Sequence, residues 1–322
     1  LVQIHLGKEL FTIARIFGAY YEIYSEGTTY ALAVLKGKLR LKNSNERHPF
    51  VVGDLVLAEK SSGEEWVISE KMERKNFLSR KSDRGDSHVL CANLDQVAIL
   101  ASCKDPETKP GFIDRLLAAS YQTEIPPLII FTKKDLVSPE EIEDREVYYR
   151  ELGYEVMSVS LLSEESIQPL WERIRGKRTF LCGNSGVGKS TLMNHLHKKT
   201  VQRTNLVSGS TKKGKHTTTN SFALFLEENT VLIDSPGVKE WGILHLTPVE
   251  LWESFPELRK IKETCKEIYC CELGSECPMR KHVNETMDET RKKSLESMIE
   301  SLENPYRVTR RDHWSKAVTK RY

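Results

Sequence analysis

No run of apolar residues in this 322-residue sequence approaches the ~18 that a membrane-spanning helix needs, so none is expected. The chain also lacks an excess of charge of either sign: 48 Lys and Arg stand against 46 Asp and Glu, a net of +2. Such a balance gives no chain-wide signal for nucleic acid. A secretory leader is not expected either, because Glu9 and Arg15 interrupt the apolar content of the N-terminal stretch. Cysteine is scarce, at seven residues, and lacks the spacing of a secreted disulfide framework. Four of the seven fall between Cys265 and Cys277, as in a metal site of a reducing compartment, and a cytoplasmic location is the default expectation. The length argues for two or three domains rather than one core.

What is present centres on Gly183-Asn184-Ser185-Gly186-Val187-Gly188-Lys189-Ser190-Thr191, preceded by the apolar run Thr179-Phe180-Leu181-Cys182. The spacing G-x-x-x-x-G-K-S between a strand and a helix is that of a phosphate loop. Glycines let successive amide N–H groups turn inward on a phosphate, and the helix N-terminus adds partial positive charge. Lys189 is then placed to reach the β- and γ-phosphates, and Ser190 to offer its hydroxyl to Mg²⁺.

Before that loop the chain changes character. From about residue 11 to 80, short β-like runs at 20–24, 28–34, 50–52, 54–58 and 65–68 alternate with turn residues such as Gly27, Gly37 and Gly63. Five short strands in so few residues predict a small barrel, with an OB-fold as the leading candidate. Its aromatics and flanking cations could stack on and neutralise RNA. Alternatively Tyr20, Tyr24, Tyr30 and Trp66 only fill or edge the barrel. The segment 71–81 and the tail 306–322 are both strongly basic.

From residue 94 onward, buried-looking strands at 94–101, 127–131 and 154–158 alternate with helical patterns at 111–123, 139–153 and 167–176. That alternation predicts a doubly wound α/β domain with its ligands at the C-terminal strand ends. After the phosphate loop comes a long polar stretch at 200–219, of the kind used as switches or lids. Two further strands follow, at 221–225 and 230–234. The second ends in Asp234-Ser235-Pro236-Gly237, and Asp234 is the expected place for a Mg²⁺ water ligand. The backbone N–H of Gly237 is expected to meet the γ-phosphate.

Thr132-Lys133-Lys134-Asp135 resembles the N/T-K-x-D guanine box, with Thr132 in place of the commoner Asn. A carboxylate there accepts from guanine N1–H and N2–H₂ together, a donor pair adenine lacks, and such contacts can reject the wrong substrate by ~10⁴-fold. Ser158-Val159-Ser160 resembles the box that backs the base. With the phosphate loop, Thr217-Thr218-Thr219 and Asp234-x-x-Gly237, these boxes read as a GTPase. A metabolic P-loop kinase fits less well, because the guanine box is present and no acceptor-pocket signature is.

The order of the boxes is inverted, since the two base boxes precede the phosphate loop. That is a circular permutation, which parallel strands tolerate because they need only be adjacent in space. A permuted GTPase preceded by a small barrel and followed by a cysteine cluster resembles the RsgA (YjeQ) family of ribosome small-subunit-dependent GTPases. The residues that carry the resemblance are Asn93-Leu94-Asp95-Gln96, Gly183–Ser190, Gly214-Lys215-His216-Thr217-Thr218-Thr219 and Asp234–Val238.

The resemblance implies a multidomain protein: an OB-like barrel over 1–82, a circularly permuted P-loop GTPase domain over 83–252, and a helical zinc-type domain with a basic tail over 253–322. It implies GTP hydrolysis to GDP with Mg²⁺, on the small ribosomal subunit and its rRNA during late maturation. No membrane partner is expected, and a monomer is. The alternative is a GTP-regulated RNA-binding or assembly protein in which hydrolysis is incidental.

Val238 stands where a water-orienting glutamine would follow Asp-x-x-Gly, so slow intrinsic turnover is expected. His216 is the candidate to orient water, by analogy with the family's histidine; otherwise it only meets RNA or solvent. Thr218 or Thr219 would close on Mg²⁺. The family's zinc pattern matches Cys265, Cys270 and, nearly, Cys277, but Glu272 replaces its histidine. Cys271, Glu272 or His282 could complete a four-ligand site, or the cysteines pack as small apolar residues.

Overall fold

A computed structural model describes residues 7–27, 29–36, 49–81, 87–204, 221–234, 246–262 and 278–303. The first unit is built from β1 (Glu9–Phe17), β2 (Tyr20–Ser25), β3 (Thr29–Leu35), β4 (Leu55–Lys60) and β5 (Trp66–Lys71). Strand geometry sends alternate side chains to opposite faces, so β2 buries Tyr21 and Ile23 while Tyr20 lies exposed. The strands pair in the order β1-β2-β3-β5-β4 and back to β1, with β3 and β5 parallel. That closed five-stranded order is an OB-like barrel. Phe11, Ile13, Ile23, Val56 and Ile68 fill it, with Trp66 edge-on to Phe11 at 4.7 Å.

The barrel differs from expectation in two places. No strand is expected at β1, whose charged Glu9 and Arg15 obscure its apolar face. The expected run at 50–52 is instead a buried loop, with one isolated bridge between Val52 and Cys91. Asp54 holds it, accepting from the Val51 N–H at 2.9 Å.

A hairpin of β6 (Phe77–Lys81) and β7 (Ser87–Ala92) then leads into the second unit, so the expected boundary at 82/83 falls inside a hairpin. The basic segment before it faces inward more than expected. Arg74 donates to both oxygens of buried Asp54, at 2.6 and 2.8 Å. Lys71 lies 3.8 Å from the same carboxylate, and Lys75 pairs with Asp95 at 3.1 Å.

The second unit is the α/β sheet, with strands in the order β10-β9-β8-β11-β13-β12. These are β8 (Gln96–Ser102), β9 (Pro127–Thr132), β10 (Glu155–Val159), β11 (Arg178–Cys182), β12 (Phe222–Phe225) and β13 (Val231–Asp234). All the pairings are parallel except β12 with β13. Every residue of β8 is buried, which is why its sequence reads as a continuous apolar run. Its Val97, Ile99 and Ala101 pack with α1 (Pro110–Gln122) and α2 (Pro139–Glu151). Ala98 and Leu100 face the other way, toward α3 (Glu164–Ile174) and α4 (Lys189–Thr204). Helices on both faces make the sheet doubly wound.

The third unit comprises α5 (Pro248–Glu253), α6 (Pro256–Lys262), α7 (Pro278–Glu285) and α8 (Glu289–Glu303). Leu251, Trp252, Phe255, Leu258, Val283 and Leu295 form its core together with Ala118 of α1. Since α5 belongs to this core, the expected boundary at 252 falls inside a packed unit. The helix expected over 284–303 is broken at 286–288, where Asp288 accepts from the Thr290 and Arg291 N–H groups and starts α8.

Arg291 fixes the module to the α/β domain. It is 2% exposed, donates to Asp114 of α1 at 2.5 Å and to Glu257 of α6 at 2.9 Å, and lies over the Phe255 ring. Burial pushes the Asp114 carboxyl above its ordinary value, although the guanidinium opposes this. Among the described residues no helix is long and apolar enough to cross a membrane.

Candidate nucleotide-binding site

The phosphate-loop strand β11 is central, between β8 and β13, and its end opens directly into Gly183. The turn there demands glycine. Gly183 has φ of +147°, and a Cβ on it would lie 2.5 Å from the Leu100 carbonyl oxygen. Gly188 has φ of +101°, and a Cβ there would meet a Leu161 methyl at 2.8 Å. Val187 is buried and pins the loop into the sheet's second core. Lys189 donates to the loop's own carbonyls at Gly183 (2.6 Å) and Asn184 (3.0 Å). Its ammonium is thus held over the loop that is to receive phosphate.

A cavity of about 550 Å³ opens in front of this loop. Ser185, Gly186, Gly188, Lys189, Ser190 and Thr191 form one wall. Lys133, Asp135 and Leu136, from the turn after β9, line the cavity as well. Thr132 does not line the cavity. Its hydroxyl is fully buried and donates to the Val187 carbonyl at 2.7 Å, so the guanine-box turn is tied to the phosphate loop. Lys133 adopts the left-handed conformation and donates to the Asp105 carbonyl, while Lys134 begins a short 3₁₀ turn, Lys134–Leu136, that contains Asp135.

Ser158, Val159 and Ser160 of the expected base-backing box are not among the residues that line the cavity. Ser158 lies within β10 and Val159 in the core. The Ser160 hydroxyl accepts from the Leu162 N–H at 3.4 Å and shapes the turn. It is Leu161 and Leu162 that line the cavity, Leu162 being 86% exposed. Apolar residues in a loop carry no motif, so the sequence gives them no mark. The exposure of Leu162 beside the cavity is the signal, whereas Leu161 is buried in the core.

Asp234 ends β13, in register with Leu181 of β11. Burial pushes the Cys182 thiol well up, with the Lys189 ammonium pulling it down and the Asp234 carboxylate adding to the rise. Ser190 and Asp234 are hard oxygen donors, the set that Mg²⁺ takes in preference to soft metals. His216, Thr218, Thr219, Gly237 and all four cysteines of the expected zinc cluster, Cys265, Cys270, Cys271 and Cys277, lie outside the described residues. Among the described residues, no group of His, Cys, Asp and Glu is arranged to hold a metal ion.

Asn93-Leu94-Asp95-Gln96 is not at the cavity but at the barrel junction. Asn93 donates to the Gly53 carbonyl at 2.9 Å and accepts from the Lys75 N–H at 2.9 Å. Asp95 accepts from the Arg178 N–H and Gln96 donates to Thr179, each at 2.9 Å. The tetrapeptide therefore fastens the foot of β11 to the barrel.

A doubly wound sheet with a central phosphate loop, base boxes that precede it in the chain, and a barrel in front defines a circularly permuted P-loop GTPase fold. The chain belongs to the RsgA GTPase family, whose model matches residues 71–244. A small ribosomal subunit biogenesis GTPase RsgA of Flavobacterium johnsoniae is 34% identical over 80% of this chain and 82% of its own length. One of Bacteroides fragilis is 33% identical over 89% of this chain and 94% of its own. Among solved structures, YjeQ from Thermotoga maritima superposes with a TM-score of 0.69 at 24% identity, covering 92% of this chain and 98% of YjeQ. YloQ, a circularly permuted GTPase, gives 0.70 at 22% identity, covering 95% and 98%.

Proposed function

We propose that this chain hydrolyses GTP to GDP in the biogenesis of the small ribosomal subunit. The observation that carries the site assignment is the cavity itself. Residues of both the loop at 183–191 and the box at 132–135 line it, although they come from separate strands in permuted order, and the Thr132–Val187 hydrogen bond joins the two segments. In this reading Lys189 and the N–H groups of residues 183–191 hold the phosphates. Asp135 accepts from guanine, Lys133 and Lys134 shape the turn that presents it, and Leu161 and Leu162 rather than Ser158 and Val159 flank the base. Ser190 and Asp234 would hold Mg²⁺, which when bound neutralises charge on the phosphates. Thr218, Thr219, Gly237 and the water-orienting His216 are assigned on sequence alone.

The exposed Phe17, Tyr20 and Tyr30 of the barrel support a contact with rRNA, whereas buried Trp66 only fills the barrel. The protein acts as a monomer, and its ribosomal substrate implies a cytoplasmic place. The zinc assignment rests on the thiol chemistry of Cys265, Cys270, Cys271 and Cys277. Metal analysis of the purified chain is expected to find one zinc per chain, lost in Cys270→Ala; a metal-free wild type would remove the assignment.

The deciding experiment is GTP hydrolysis with and without small ribosomal subunits, comparing wild type with His216→Ala. Strong stimulation that disappears in the mutant is expected. Stimulation that survives it would move the catalytic role to another group, and no stimulation would leave a GTP-binding switch.

A further inference from the structure

The barrel and the α/β sheet are hydrogen-bonded into one continuous sheet, and the joint lies on the row that carries Asp234. Glu9–Thr12 of β1 pair with β4, the register then shifts between Ile13 and Arg15, and Arg15 faces Phe222 of β12. Such a bulge bends a strand and re-aims its side chains, which lets one strand serve two partners. Phe222 is in turn opposite Asp234, and Asp234 opposite Leu181 just before the phosphate loop. One cross-sheet row thus reads Glu22, Arg15, Phe222, Asp234, Leu181.

Side chains reinforce the joint from both sides. Tyr24 of β2 stacks on Phe225 of β12 with centroids 3.9 Å apart and planes within 18°. The Tyr30 hydroxyl accepts from the Phe225 N–H at 3.4 Å. The Arg15 guanidinium lies over the Phe222 ring at 5.3 Å and 3.8 Å from Glu22. Strand β12 therefore has β13 on one edge and the barrel on the other.

We infer that Tyr24 and Arg15 of the barrel are positioning residues for the Asp234 side of the nucleotide site, acting through β12. The barrel clamps β12, and β12 keeps the end of β13 in register with the phosphate loop. This rests on the reading of Asp234 as the Mg²⁺-side carboxylate. Disturbing the clamp then weakens the Mg²⁺-dependent part of nucleotide binding and leaves the phosphate-loop part alone. By linkage, a ligand that binds this barrel face and alters Mg²⁺–nucleotide affinity has its own affinity altered by Mg²⁺–nucleotide by the same factor.

The test titrates a fluorescent GDP analogue into the full chain in Mg²⁺ and in EDTA, and Mg²⁺ at fixed nucleotide. In Tyr24→Ala the half-saturating Mg²⁺ is expected to rise by about fivefold or more. Its affinity in EDTA stays near wild type, and Tyr24→Phe, which keeps the ring, restores the Mg²⁺ response. Phe225→Leu reads the same contact from the other side if the alanine variant fails to fold. An unchanged Mg²⁺ response in Tyr24→Ala and Phe225→Leu overturns the clamp, as does equal loss in Mg²⁺ and EDTA. Asp234→Asn separates the two readings: if it too responds normally to Mg²⁺, the assignment of Asp234 has failed rather than the clamp.

Discussion

Thr132 shows how much one side chain can settle. In the guanine box it stands where asparagine is commoner, and its hydroxyl braces the phosphate loop through the Val187 carbonyl, with Ala101 a longer contact at 3.5 Å. Thr132→Val keeps the shape and removes the donor, so the Val187 carbonyl loses this bond in a buried setting. That costs about 1–3 kcal/mol, shared between fold stability and nucleotide affinity. Thr132→Asn retains a donor and is expected to lose less of both. Calorimetric titration with GDP beside urea melts checks this, and a valine variant equal to wild type in both would remove the brace. The phosphate loop was legible at this scale because glycine spacing and a Lys-Ser pair mark it in any context. Leu161 and Leu162 were not, because nothing in an apolar pair distinguishes a cavity wall from a core.

Among the elements, legibility followed burial. Strands such as β8 and β9, covered on both faces, advertise themselves as apolar runs. Strand β1 does not, since its residues serve the barrel interior, the β4 seam and the β12 joint in turn. The hairpin β6–β7 lay hidden behind a basic segment whose Arg74 is consumed by buried Asp54. The break before α8 had a signal in Asp288-Glu289, an acidic start to a helix.

That start carries a pH prediction. Partial burial pushes the Asp288 carboxyl up, but the N–H groups of Arg291 and Thr290 and the Tyr148 hydroxyl outweigh it and leave it below its ordinary value. A carboxyl depressed in the folded state stabilises fully above the ordinary aspartate range and loses that effect as pH falls through the depressed value. Asp288→Ala should therefore cost about 1 kcal/mol at neutral pH, as a lost helix cap does. Urea melts near pH 7 and in strong acid should show the gap from wild type narrowing in acid. A gap independent of pH would mean the ionised carboxylate is not what matters.

At the scale of the molecule, the barrel and the α/β domain share one hydrogen-bonded sheet. Leu78 and Cys91 of the hairpin share a core with Ile99 and Phe180 of the α/β sheet, and the β-ladder runs unbroken from β10 to the barrel. Mostly buried Arg178 closes the junction. It donates to the Gly53 carbonyl at 2.8 Å and to Thr12 at 3.4 Å, and burial lowers its affinity for its proton, partly offset by Asp95 and Asp54. Domains joined only by a linker melt separately, and a ligand then protects only the one it binds. Here the barrel and the α/β domain are expected to melt together. GDP at a hundred times its dissociation constant should stabilise that common transition by about 2.7 kcal/mol. Arg178→Ala removes the cation that holds the Gly53 carbonyl, so a lower-temperature barrel transition that GDP does not move should split away. Scanning calorimetry of both proteins, with and without GDP, reads this directly. Two transitions in the wild type, only one of them sensitive to GDP, would show that the shared sheet does not couple the units and would weaken the case for a barrel that acts on the nucleotide site.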